Sequence, residues 1–183
     1  MNRVVRWVPD AGVGAEHLAI RSTPEGTVAE GVVVGARGGT SYGLRYCVRC
    51  DALWRVREAV LSLAGEERCL YLRADGEGNW RDQDGRSVEV LRGCVDIDIS
   101  ATPFTNTLPI RRLGLALGEA REILVAYVPV PALAPEPVRQ RYTRLEAGQL
   151  YRYEGLFRGY AGELTVDGNG LVLDYPGTFR RVP

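Results

Sequence analysis

Tyr42-Gly43-Leu44-Arg45-Tyr46-Cys47-Val48-Arg49-Cys50-Asp51 alternates without a break. Tyr42, Leu44, Tyr46, Val48 and Cys50 fall on one side; Gly43, Arg45, Cys47, Arg49 and Asp51 fall on the other. Successive side chains of a strand point to opposite faces, so the pattern reads as a strand with one buried face. The same period of two returns at Val95, Ile97 and Ile99 against Asp96, Asp98 and Ser100, and at Tyr151 and Tyr153 against Arg152 and Glu154. Ile123 to Val128 is continuously apolar, as expected of a strand covered on both faces. Further strands are expected over His17–Ser22, Thr27–Gly35, Arg68–Ala74, Ser87–Leu91, Gly162–Val166 and Leu171–Tyr175.

Glu25-Gly26, Gly38-Gly39, Asp75-Gly76, Asp84-Gly85 and Asp167-Gly168 punctuate these runs at short intervals. Such pairs favour tight hairpins, because glycine takes the positive φ that those turns require. Many short strands with regular turns predict a sandwich or barrel. One segment reads two ways. Asp51 to Ala64 carries a cap, a helical stripe (Leu53, Val56, Val60, Ala64) and a terminating Gly65, yet Trp54 and Val56 also continue the strand alternation. The proline-rich Pro129–Pro137 reads as a connection or a strand edge, since proline cannot donate to a ladder.

The 183 residues fit one domain spanning 1–183, long enough to bury a core without staples. Leu70–Gly78 resembles Glu163–Gly170, which raises a duplicated β-meander with halves 1–100 and 101–183. Basic and acidic residues balance at 23 each, and this argues against a nucleic-acid partner. Every basic residue is arginine. The longest apolar run is too short to span a bilayer, so no transmembrane segment is expected. The start of the chain has no apolar signal region, which points to the cytoplasm and to reduced cysteines.

Cys47-Val48-Arg49-Cys50 has the spacing of a metal or redox pair, but residues three apart on a strand diverge, and His17 is the single histidine. No metal or other cofactor is expected. Without a second histidine or a nucleophile elbow, triad chemistry is not expected either. Asp96 and Asp98 share a strand face, where they can be paired with arginine or, if burial splits their pKa values, act as acid and base. Asp96 to Leu113 is the most chemically loaded stretch. Two prolines, Pro103 and Pro109, bracket Thr105, Asn106 and Thr107, and Arg111 and Arg112 follow. Such a concentration of hydrogen-bonding groups suits the mouth of a cavity. If the segment is extended, only one of the two arginines faces inward, and Arg111 is the better choice because Ile110 and Arg112 then share the outer face.

Thr102-Pro103-Phe104-Thr105-Asn106-Thr107-Leu108-Pro109-Ile110-Arg111-Arg112-Leu113 is also where the chain resembles a bacterial family described as "putative glycolipid-binding". Trp7, Glu16-His17-Leu18, Asp51-x-x-Trp54-Arg55, Asp75-Gly76-x-Gly78-x-Trp80, Asp167-Gly168-x-Gly170-Leu171-Val172 and Asp174-Tyr175-Pro176-Gly177 extend the resemblance nearly end to end. It implies a mainly β fold, a flattened antiparallel barrel or roll of about a dozen strands with little helix. The expected function is non-enzymatic binding of an amphipathic, glycolipid-like molecule in a barrel cavity. Trp54, Trp80, Tyr46 and Tyr71 are candidate wall residues, and Asp51, Asp96, Asp98, Thr105, Asn106, Arg111 and Arg112 candidate ligand-binding residues. Two alternatives remain open: a small-molecule enzyme using Asp96 and Asp98 with Arg111 or Arg112, and a protein-interaction module with a filled core.

Overall fold

Four aspartates set the sharpest turns in the same way. In Asp51, Asp75, Asp82 and Asp167, Oδ1 accepts the backbone N–H groups two and four residues on. The aspartate's own N–H donates to the carbonyl four residues on. The position before that carbonyl turns into the left-handed region, and in three cases it is glycine: Gly78, Gly85 and Gly170. In the fourth it is Trp54, at φ 64°. The sequence motif Asp-x-x-(Gly/Trp) is thus a hairpin device, and it resolves the ambiguous segment. Asp51 caps a turn, and the residues after it form a strand rather than a helix.

The computed structural model describes residues 2–146, 149–157 and 159–183. Among them the strands are β1 (Asn2–Pro9), β2 (Ala15–Thr23), β3 (Gly26–Arg37), β4 (Thr40–Asp51), β5 (Val56–Leu63), β6 (Cys69–Ala74), β7 (Trp80–Arg81), β8 (Asp96–Ile99), β9 (Ala120–Val128), β10 (Glu136–Glu146), β11 (Leu150–Gly155), β12 (Tyr160–Val166), β13 (Val172–Tyr175) and β14 (Phe179–Val182). One helix, α1 (Phe104–Leu113), lies between β8 and β9.

All fourteen strands form one mainly β sheet, in the order β7-β6-β5-β4-β3-β2-β1-β14-β13-β12-β11-β10-β9-β8. The first seven strands form a meander and so do β9 to β14; the halves join where β1 pairs with β14, Arg6 opposite Val182. Every junction is antiparallel except β8 with β9, whose parallel pairing requires the crossover that contains α1. The sheet is rolled but not closed, with β7 and β8 as its edges. The connection between them is tied back to the β7 side by Gly93 N–H to the Gly78 carbonyl and by Trp80 Nε1–H to the Cys94 carbonyl, at 2.8 and 2.7 Å.

Three expectations need correction. Ser87–Leu91 is not a strand but ends in a 3-10 turn over Glu89–Leu91. The stretch after Pro103 is neither loop nor strand but α1, buried from Phe104 to Ile110 and ended by Gly114 in the left-handed region. And the interior is not an open barrel lumen. One core of Trp7, Leu18, Tyr46, Leu61, Trp80, Ile97 and many others runs through both halves, and Phe104 and Leu108 of α1 pack within it. Space for a ligand is left to one side.

Candidate functional site

The space is a cleft of about 400 Å³ walled by the second half of the sheet. Tyr127, Tyr153, Phe157, Tyr160, Tyr175 and Phe179 line it. They are half of the chain's nine tyrosines and three phenylalanines. Five of the rings form a triplet and a pair: Tyr153 lies 6.1 Å from Tyr175 and 6.3 Å from Tyr160, Tyr160 lies 6.0 Å from Tyr175, and Tyr127 lies 5.4 Å from Phe157. Strand alternation places Tyr151 and Tyr153 on the same inner face of β11, and Tyr153 meets the buried Tyr142 of β10 edge-on at 5.4 Å. Burial and neighbouring acidic groups hold the Tyr142 and Tyr175 hydroxyls well above the usual tyrosine range, so both are neutral donors.

The cleft also has a polar side, supplied by β8 and α1. Asp98 accepts from Gln140 Nε2 at 2.6 Å and from Thr105 Oγ1 at 3.2 Å. Asn106 accepts the Tyr142 hydroxyl at 2.9 Å on Oδ1. Ser100 and Thr102 complete this side, and Arg37 stands at the rim, 3.4 Å from the Tyr127 hydroxyl. Aromatic faces opposite a carboxylate, an amide and hydroxyls can stack on an apolar or sugar ring while bonding its hydroxyl groups.

The residues proposed from sequence are divided by the structure. Asp98 and Asn106 line the cleft, with Thr105 buried directly behind Asp98. Asp96 is fully buried and held by Arg112, whose Nε lies 3.0 Å from Oδ1 and whose terminal nitrogen lies 2.6 Å from Oδ2. Burial raises the pKa of Asp96, against the opposing pull of Arg112. Arg112, not Arg111, is therefore the inward arginine. On a helix the two diverge by about 100° rather than alternating across a strand. Arg111 is exposed, its guanidinium 5.2 Å over the Trp54 ring. Asp51 caps the turn before Trp54 and pairs with Arg55 at 2.8 Å. Burial pushes its pKa up, but N–H donors from Arg55 and Leu53 and the Arg55 charge outweigh this and leave it low. Trp80 is a core residue, and Tyr46 is buried too. Tyr71 reaches Glu58 at 2.9 Å beneath Arg73. None of these last lines the aromatic cleft. All four cysteines are free thiols, and no metal-binding cluster exists among the described residues.

Sequence reading named none of the six wall aromatics as site residues, because Tyr127, Tyr160 and Phe179 sit on different strands, Phe157 sits in the turn after β11, and their adjacency depends on topology. It also passed over Glu16, which occurs in the resemblance as a bare motif residue. Glu16 is buried on β2, where its Oε1 accepts the Tyr46 and Thr102 hydroxyls. Gly31 of β3 makes the Tyr46 contact possible, since a Cβ there would sit 2.1 Å from the Tyr46 ring. Burial raises the Glu16 pKa to about 8, against the two hydroxyl donors.

The chain is thus a mainly β protein, a rolled single sheet with a filled interior and a lateral aromatic cleft. The sequence profile of the family described as "Putative glycolipid-binding" matches residues 4–181, and the chain belongs to that family. A crystal structure of a DUF1089-family protein from Pseudomonas aeruginosa is 44% identical, covers 94% of each chain and superposes with a TM-score of 0.84. No curated protein matches the chain. Among the described residues, no helix is long and apolar enough to cross a membrane.

Proposed function

We propose that this protein binds an amphipathic, glycolipid-like molecule in the aromatic cleft and does no chemistry on it. The observation that carries this reading is the convergence of six aromatic rings on the side chains of Asp98 and Asn106 in one 400 Å³ space. The family description points the same way. An acid–base pair of Asp96 and Asp98 has less support, because Asp96 is spent on Arg112 and does not line the cleft. The four free thiols suit a reducing compartment, and we place the activity in the cytoplasm.

The test is titration with octyl β-glucoside below its micellar concentration, followed by intrinsic fluorescence and calorimetry. Saturable one-site binding is expected. Phe157 and Tyr160 are 38% and 41% exposed at the rim, so replacing each with serine should leave folding intact. Each should weaken binding by roughly 1 kcal/mol, about five-fold, for the loss of one stacking face. No saturable binding of the glucoside, or unchanged affinity in both variants, overturns the reading.

A further inference from the structure

A second cavity of about 300 Å³ adjoins the cleft, with Arg37, Ser100, Thr178 and Phe179 as common walls. Apart from Arg37 at the shared wall, its surface is mostly apolar or small: Trp7, Pro9, Ala15, Val33, Ala36 and Ala101 contribute. Glu16 is the one carboxyl in it. We propose that this cavity seats the acyl linkage of the ligand, with Glu16 donating a hydrogen bond to the carbonyl oxygen of an ester or amide.

The inference rests on the binding function proposed above and follows from counting hydrogen bonds. Glu16 Oε1 accepts from Tyr46 and, at 2.8 Å, from Thr102. Those two donors fill its lone pairs, so the acid proton belongs on Oε2. Oε2 is buried and has no partner among the described residues. No cation bonds to this carboxyl, and burial keeps it protonated at neutral pH. The other titratable groups around it are Tyr46 and Tyr42, both held neutral by burial, and Arg37, whose charge acts on Tyr42. A buried donor without an acceptor, on a residue that lines an apolar cavity, selects a ligand that brings an acceptor and no charge. A carbonyl between a sugar in the aromatic cleft and an alkyl chain among the small apolar residues meets both conditions.

The experiment compares 6-O-octanoylglucose with 6-O-octylglucose, which differ only in the carbonyl, on the wild-type protein, Glu16→Gln and Glu16→Met. The wild type should bind the ester about ten-fold more tightly than the ether. Glutamine can accept the Tyr46 and Thr102 hydroxyls on its oxygen and still donate from its nitrogen, so Glu16→Gln should keep the preference. Glu16→Met should bind both compounds alike while retaining its near-ultraviolet dichroism. Equal affinity of the wild type for both compounds overturns the inference and leaves the binding function standing, as does an ester preference that survives in Glu16→Met. Failure of both compounds to bind the wild type overturns the inference together with the function on which it rests.

Discussion

Single residues carry two of the fold's costs. Glu16 is the clearer one. Its pKa is raised from 4.5 to about 8 by burial. The folded state therefore holds a proton that the unfolded chain gives up, and stability is full below pH 4.5, falls as pH rises, and levels off above about 8. The total loss is at most about 5 kcal/mol. The melting temperature of the wild type should drop between pH 5 and 8.5, and Glu16→Gln should remove most of that slope. An identical slope in the two proteins would show that Glu16 does not titrate this way. Trp54 is the second cost. It occupies the position that the three sister turns give to glycine. A left-handed residue with a side chain is disfavoured by about 1–2 kcal/mol, partly offset here by the stacked Arg111. Trp54→Gly should change stability by less than about 1 kcal/mol, whereas Trp54→Val, stiff at its branched carbon, should cost about 2 kcal/mol or more. Chemical denaturation separates the two. Three of the four aspartate turns were legible in the sequence through an Asp-Gly pair, Asp75-Gly76, Asp84-Gly85 and Asp167-Gly168. Asp51-Ala52-Leu53-Trp54 was not, because tryptophan there hides the signal.

At the scale of the element, α1 shows why a segment can be read for its chemistry and missed for its shape. Thr102 to Leu113 is poor in strong helix formers and contains Pro109 within the helix. Propensity gives little reason for a helix, and the burial of Phe104 to Ile110 supplies it. What the sequence did show was the density of hydrogen-bonding side chains; the structure supplies their partners, with Thr102 donating to Glu16, Thr105 to Asp98, Tyr142 to Asn106 and Arg112 to Asp96. The last fixes the end of α1 against β8. Arg112→Met leaves a fully buried carboxylate without its partner and should cost about 3–5 kcal/mol. The double variant Asp96→Asn with Arg112→Met should recover part of that loss, because the charge is gone. Urea unfolding of Arg112→Met, Asp96→Asn and the double variant checks this, and losses that simply add would mean the two side chains do not act as a pair. On β3, Gly31→Ala should be among the most damaging small substitutions in the sheet, at about 2 kcal/mol or more, since the added methyl overlaps the Tyr46 ring.

For the whole molecule, period-two patterning was enough to read a mainly β fold, and the hairpin turns were enough to read most neighbours. The ends of the sheet were not legible, nor was its middle. The β1 to β14 junction joins segments at opposite ends of the chain, with Arg6 reaching the Pro183 carbonyl 177 residues away and Trp7 Nε1–H reaching the Val172 carbonyl at 2.9 Å. No local signal encodes such a pairing. It follows from which inner faces must share one core. The aromatic cleft was hidden for the same reason, since Tyr127, Tyr160 and Phe179 come together only after the roll is made.

That central junction bears on how the protein is made. During synthesis β1 leaves the ribosome early and β14 late, so the first meander spends most of translation with the β1 edge of its sheet uncovered. An uncovered edge is a template for the wrong neighbour, including the same edge of a second nascent chain on the same message. That edge is covered only once β14 pairs with it, and the cleft, which Phe179 of β14 helps to wall, is complete no earlier.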